Sequence, residues 1–444
     1  MAMADDNLLV NADFVEAGDD GLPAGWELGV GNPRTAPELR VVTDDGTRLA
    51  RFRMNDNGAS MGCLSQEVTL PDGCEAVRVQ ALIRCKGDAR VLDHSAVRVF
   101  WNAEPKLHNG WPPWLYRHFP EYEVINARNA RVDVVLPVPI AGANLLRLDL
   151  MARWSPGGSV SFGEVSVTPC DPPQPRRAKL AVVHGHASGT LEDACAWASE
   201  QVATAAEMGA DLVVLGEAIN AAGLGMKALD TCEPIPGGPM SQVLSKAAAE
   251  HGIYVIAGIY EQAGDIAYNS APLFGREGEL IGVYRKVHLP SPEVDWGFTP
   301  GDGFPVFETD LGGIGIQICY DHHFAEASRA LAMNGADIIC VPIWGDGRSD
   351  NTAWPATART HAIESGVFYV ASIYSQTQSC VIDRDGFILA DAEGKPGVYV
   401  AEVDLTPYAA NVRIEENGHN TPRSFKSVYR GERMPGTYGP ICDW

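Results

Sequence analysis

Cys319 closes the stretch Gly313-Ile-Gly-Ile-Gln-Ile-Cys-Tyr-Asp321, in which Ile314, Ile316 and Ile318 alternate with Gly313, Gly315 and Gln317. That is the period of a β-strand with one packed face. It points Ile318 into a core and lets Cys319 emerge at the strand's end. Residues 324–333 read as a helix, stopped by Asn334-Gly335. A thiol on a tight strand-to-helix turn suits nucleophilic chemistry, because the backbone N–H groups there face an incoming anion. A buried structural cysteine has the same local pattern, so other residues must decide. Glu217 follows the apolar run Asp211-Leu-Val-Val-Leu-Gly216, where a carboxylate is costly unless it is paired or functional. Lys286 lies in Gly282-Val-Tyr-Arg-Lys-Val-His-Leu-Pro290, again at a strand end. Alone, Glu217 fits a salt-bridged surface charge equally well, and Lys286 fits an ordinary surface lysine better. Together they make a chemically complete set. A thiol needs a base to become a thiolate, and Glu217 can take its proton. A tetrahedral oxyanion needs a cation or N–H donors, which Lys286 and the backbone N–H of Tyr320 can supply.

These three residues have to be positioned by the second half of the chain. From Lys179 onward, buried runs such as Leu180-Ala-Val-Val183, Asp211-Leu-Val-Val-Leu215, Tyr254-Val-Ile-Ala-Gly-Ile-Tyr260 and Ile338-Ile-Cys-Val-Pro342 alternate with helical stretches at 194–210, 239–250 and 354–366. That is a mixed α/β pattern of helices covering sheets. The first 172 residues read differently. Short alternating segments recur, among them Leu39-Arg-Val-Val-Thr43, Ala76-Val-Arg-Val-Gln-Ala-Leu-Ile83 and Leu145-Leu-Arg-Leu-Asp-Leu150. Gly, Pro, Asp or Asn bounds each, as in an antiparallel β-sandwich of jelly-roll type. The proline-rich segment 173–178 is the expected linker. The α/β domain then runs over 179–410, and a polar C-terminal arm over 411–444.

The chain has 444 residues, is 45% hydrophobic and 20% charged, and carries a formal net charge of −23. Such acidity disfavours nucleic acid and anionic membrane surfaces as partners. No apolar run is long enough to span a bilayer, and no basic and apolar leader opens the chain. Ten cysteines, scattered without a CxxC pattern, fit reduced thiols in a cytoplasmic enzyme better than a disulfide framework.

Leu215-Gly-Glu217, Tyr284-Arg-Lys-Val-His-Leu-Pro290, Phe298-Thr-Pro-Gly301 and Gly315-Ile-Gln-Ile-Cys-Tyr-Asp321 resemble the signatures of the carbon–nitrogen hydrolase (nitrilase) superfamily. The likeness spans residues 179–444, and four ordered motifs are far more specific than one. It implies an α-β-β-α sandwich that dimerises into a four-layer stack, with no metal or organic cofactor. Motif by motif, it implies Cys319 as nucleophile, Glu217 as general base and later acid, and Lys286 as oxyanion stabiliser. Glu293 becomes the second glutamate, holding Lys286 and the substrate. Two positions depart from the family pattern: Gly216 replaces the usual proline before the first glutamate, and Phe324-Ala-Glu326 replaces Phe-Pro-Glu. The opening Leu8-Leu-Val-Asn-Ala-Asp-Phe14 and Gly21-Leu-Pro-Ala-Gly-Trp26 resemble, more loosely, a galactose-binding-like carbohydrate module.

Substrate-binding candidates are Tyr320 and His323 beside the nucleophile, Trp344 after a strand, and Trp296 in the Glu293 loop. Of the adjacent His322 and His323, at most one reaches the pocket. Tyr374, like Trp344, ends a strand and suits a pocket wall or the core. His184 and His186 alternate as a metal pair would, but lack a third ligand nearby. Trp111-Pro-Pro-Trp114 can stack on a sugar, giving the N-terminal domain a candidate glycan ligand, or can simply close the sandwich.

The expected reaction is hydrolysis of a small linear amide through a cysteine thioester, since the nucleophile motif reads Cys-Tyr-Asp where typical nitrilases have Cys-Trp-Glu. N-carbamoyl amide hydrolysis is the nearest alternative, and nitrile hydrolysis the next. Acyl transfer to an amine shares the thioester. A glycan-binding protein with a vestigial hydrolase domain is the alternative from another class. The expected assembly is a homodimer or larger homo-oligomer.

Overall fold

A computed structural model describes residues 6–18, 21–102, 116–139, 143–345, 353–374, 378–406, 412–416, 419–423, 433, 438 and 439. The chain divides into two compact units, Pro175–Leu405 and the combination of Met1–Gln174 with Thr406–Trp444.

The first unit contains two antiparallel sheets around one apolar core. One orders its strands as Glu27–Val30, Met61–Thr69, Leu145–Arg153, Ser95–Asn102 and Tyr116–His118. The other runs Glu38–Asp44, Thr47–Arg53, Ser159–Cys170, Ala76–Lys86, Asn129–Pro137 and Glu123–Asn126. Leu146, Leu148 and Leu150 from the first meet Val77, Val79, Ile83 and Phe162 from the second, so the period-2 alternation is the inner face of each strand. Met61–Thr69 escaped the sequence reading because Gly62 to Gln66 are buried on both faces and alternation is confined to its last residues. Residues of the expected C-terminal arm form a hairpin, Val412–Glu416 against His419–Arg423. The Trp111-Pro-Pro-Trp114 loop lies outside the described residues.

His118 is fully enclosed in this unit, and its Nδ1 accepts the Trp101 indole N–H at 3.1 Å. Burial holds the imidazole neutral and pushes it down to about 4. The unfolded chain therefore takes up a proton near pH 6.5 that the folded chain refuses. Stability should fall as the pH drops from 6.5 towards 4, by roughly 3 kcal/mol from this residue. Replacing His118 with Gln, which keeps an acceptor for Trp101, should flatten that part of the curve of melting temperature against pH. A curve of unchanged slope would remove His118 as the cause.

In the second unit, one sheet contains β1 (Arg177–His184), β2 (Leu212–Val214), β3 (Tyr254–Ile256), β4 (Ile259–Ala263), β5 (Ile266–Phe274) and β6 (Leu280–Arg285). The other contains β7 (Val306–Thr309), β8 (Gly312–Ile316), β9 (Ile338–Ile343), β10 (Phe368–Ile373), β11 (Cys380–Ile382) and β12 (Ile388–Asp391), while β13 (Gly397–Asp404) returns to pair with β1. Each sheet has three central parallel strands, β1-β2-β3 and β8-β9-β10, with antiparallel neighbours outside them. Leu180, Val182, Leu212 and Val214 of the first sheet share one core with Ile314, Ile316, Ile338 and Val370 of the second. Alternate residues face helices. Val183, Val213 and Val255 pack on α1 (Leu191–Glu207) and α2 (Pro239–His251). Ile339, Val341 and Tyr369 pack with Leu331 of α4 (Ala325–Met333) and with Trp354 and Ala358 of α5 (Ala353–Ser365). A short α3 (Ser291–Trp296) follows β6. The layers are therefore helix, sheet, sheet, helix. Because β2, β3, β9 and β10 are buried on both faces, they read as unbroken apolar runs.

α1 starts at Thr190, whose hydroxyl accepts the Asp193 N–H while Asp193 accepts the Thr190 N–H. That reciprocal cap begins the helix three residues earlier than its alanine content alone suggested.

Candidate active site

Three strand ends deliver the polar groups. Glu217 lies just beyond β2, Lys286 follows β6, and Cys319 opens a 3₁₀ turn, Cys319–His323, beyond β8. The turn places Cys319 at φ +43°, and Ala218 next to Glu217 has φ +50°. Left-handed backbone at non-glycine residues is uncommon and concentrates where a side chain must be aimed. The segment around Glu217 is also tightly clasped. A Cβ on Gly258 would stand 2.5 Å from the Glu217 Cα, and the Gly258 N–H donates to the Gly216 carbonyl at 2.9 Å.

Lys286 is 1% exposed. Its ammonium donates to Glu217 Oε1 at 2.9 Å and to Glu293 Oε1 at 2.7 Å. Burial works against the charged amine, but the Glu217 and Glu293 carboxylates outweigh it and raise its pKa, so Lys286 stays protonated. Glu293 projects inward from α3; burial raises its pKa against the pull of Lys286, and its Oε2 has no hydrogen-bond partner among the described residues. Glu217 Oε2 accepts the Trp344 backbone N–H at 2.8 Å. The Cys319 thiol donates to the Gly345 carbonyl at 3.6 Å. Burial first, and then the Glu217 charge, push the thiol's pKa up, while Lys286 pulls it down. The resting cysteine is thus a thiol held protonated by burial and by the Glu217 charge, beside one ammonium between two carboxylates.

Asp321 locks the turn. Its carboxylate accepts the Tyr284 hydroxyl (2.6 Å), the Ile318 N–H (3.0 Å) and the His288 N–H (2.9 Å), and faces His288 Nδ1 at 2.8 Å. Tyr284 and His288 flank Lys286, so one buried carboxylate ties the lysine segment to the cysteine turn. Phe324 stacks on the His288 ring at 3.8 Å.

A match to the carbon-nitrogen hydrolase family covers residues 179–410. The chain belongs to that family. This carbon–nitrogen hydrolase is 32% identical over 276 residues to the omega-amidase NIT2 of Danio rerio, covering 57% of this chain and 99% of the relative. It is 38% identical to a nitrilase of Pyrococcus abyssi, covering 47% of this chain and 82% of the relative. Among solved structures, a carbon-nitrogen hydrolase from Helicobacter pylori G27 superposes with a TM-score of 0.50 at 23% identity, covering 60% of this chain and 99% of that one, a likeness of fold.

The hydrolase's departure at Gly216 has a local cause. A Cβ there would meet the Tyr374 ring at 2.5 Å, and that tyrosine donates its hydroxyl to the Glu217 carbonyl at 3.0 Å. Tyr374 stands 5.5 Å from the Trp344 ring and 4.9 Å from His186. Trp344 is 40% exposed and Tyr320 37%. His323 is exposed, with its ring 5.4 Å from Tyr320, whereas His322 is buried with Nδ1 2.8 Å from the Tyr369 hydroxyl. Trp296 stands apart from this group. It is 48% exposed at the end of α3, and no hydrogen bond or ring contact joins it to Glu217, Lys286, Glu293 or Cys319 among the described residues. His184 meets the Ser379 hydroxyl at 3.0 Å. Asn269 was missed: its Nδ2 donates to Glu217 Oε1 at 2.8 Å and Glu293 Oε1 at 3.2 Å. The signal was the polar Tyr268-Asn-Ser270 within an otherwise apolar strand.

Proposed function

We propose that this enzyme hydrolyses a small linear carboxamide through a thioester on Cys319, releasing ammonia or an amine. The observation that carries the reading is the buried Lys286 ammonium held by the Glu217 and Glu293 carboxylates, with the Glu217 charge acting on the Cys319 thiol. In the first step Glu217 takes the thiol proton as sulfur attacks the amide carbonyl. The oxyanion forms against Lys286 and the Tyr320 N–H, which sits at the start of the 3₁₀ turn, where N–H groups lack an intra-turn acceptor. Glu217 returns the proton to the leaving nitrogen, and the C–N bond breaks. Water, deprotonated by Glu217, then attacks the thioester, giving the carboxylic acid and the free thiol. The unpartnered Glu293 Oε2 suits a substrate amide N–H, which has donors and needs an acceptor. The half-exposed rings of Trp344 and Tyr320, with His323, form the mouth.

The names of the omega-amidase relatives favour amides over nitriles. Ammonia release from a panel of primary amides, N-carbamoyl compounds and nitriles tests the ranking. Amides should turn over fastest; activity confined to nitriles would overturn it. We read the N-terminal unit as an accessory sandwich module and the working assembly as a homodimer.

A further inference from the structure

Asn269 lies on β5 with no exposed surface, directly beneath the two carboxylates. Its backbone carbonyl accepts the Lys286 N–H at 2.8 Å, and its side chain reaches the same two oxygens that Lys286 Nζ bonds. Only an NH₂ group can face two carboxylate oxygens, so chemistry sets which way the amide points. The amide oxygen is left buried without a partner among the described residues. A residue kept for stability alone would not strand a buried carbonyl in this way. The electrostatics give the reason. Two carboxylates share one ammonium, so the buried array has one negative charge in excess, and a neutral double donor stabilises it without adding charge.

We propose that Asn269 is a positioning residue: it holds Glu217 and Glu293 ionised and set apart about Lys286, so that Glu217 is free to take the Cys319 proton. The inference rests on the amide-hydrolase reading for its catalytic consequence. The other titratable groups facing the array are Cys319, Tyr260 from β4 and Tyr374 from beyond β10. Burial raises the pKa of all three, which stay protonated at neutral pH.

The test compares wild type with Asn269→Leu and Asn269→Asp in the full chain, on an amide that wild type hydrolyses. With the donor gone, the carboxylates keep their protons to higher pH. The acid limb of kcat/KM should then move up by about one pH unit in the Leu variant and further in the Asp variant. Plateau kcat should fall by about tenfold or more with KM changing less. A second readout needs no turnover: the Leu variant's deficit in urea midpoint against wild type should be larger at pH 8 than at pH 5. An acid limb that stays in place, or a urea deficit equal at both pH values, overturns the proposal. If wild type hydrolyses no amide, the functional reading fails separately and the urea comparison still decides the role of Asn269.

Discussion

Alanine at position 319 is expected to abolish turnover, with a loss on the order of 10⁴–10⁶-fold, as when a covalent nucleophile is removed. The fold should survive, because alanine keeps the Cβ that the backbone already accommodates at φ +43°, and no charge is left unpaired. Stability should stay within about 1 kcal/mol of wild type. The loss would therefore be chemical and not structural. Acid-quenching wild type during turnover and weighing the intact protein should give an adduct equal to the acyl half of the substrate. Digestion should place it on Cys319, and the variant should show none. This pair of measurements also separates hydrolysis from a vestigial domain, which would form no adduct at all. An alanine variant keeping more than a tenth of wild-type turnover, or an adduct on another of the free cysteines, would remove Cys319 from the mechanism.

The sequence announced the groups that end strands and concealed those that lie within them. Glu217, Lys286 and Cys319 stood out because each breaks an apolar run at its end, where an α/β layer opens to solvent. Glu293 was legible through its motif, and the structure sets it 2.7 Å from Lys286. Asn269 was hidden because it lies within β5 and not at its end. The Asn269 amide N–H groups go to the two site carboxylates and the Ser270 hydroxyl to Glu261, so a polar pair that reads locally as a loop sits inside a strand. Asp321 was quoted only as part of a motif; its four partners come from segments more than thirty residues away as well as from its own turn. Trp296 is a different case. It lies three residues from Glu293, which helical geometry would place on the same side, yet Glu293 is 6% exposed and Trp296 48%. The helix has six residues and ends in a left-handed Gly297, so the chain turns away before a face is established.

Methionine at position 286 should damage both stability and activity, and its pH dependence identifies the cause. Methionine fills much of the lysine's volume but supplies no charge. Glu217 and Glu293 would then face each other with Asn269 as their remaining shared donor. Breaking a buried ion pair from one side costs about 3–5 kcal/mol, because the partner charge is stranded. Here a carboxyl group can escape part of that cost by keeping a proton. Its folded pKa rises above the unfolded value, so the variant binds more protons folded than unfolded and loses stability as pH rises through that interval. In wild type the ammonium offsets part of this loss by pulling the Glu293 pKa down against burial. The gap between the two proteins should therefore be small near pH 5 and widen towards pH 8 in urea titrations. Turnover should fall by at least about 10²–10³-fold, the usual effect of removing one oxyanion donor. Activity should not return at low pH, since protonating a carboxyl relieves repulsion but supplies no cation for the oxyanion. A variant as stable as wild type at both pH values would mean that the ammonium does not balance the carboxylates. One that kept a tenth of the activity would mean that the oxyanion is held elsewhere.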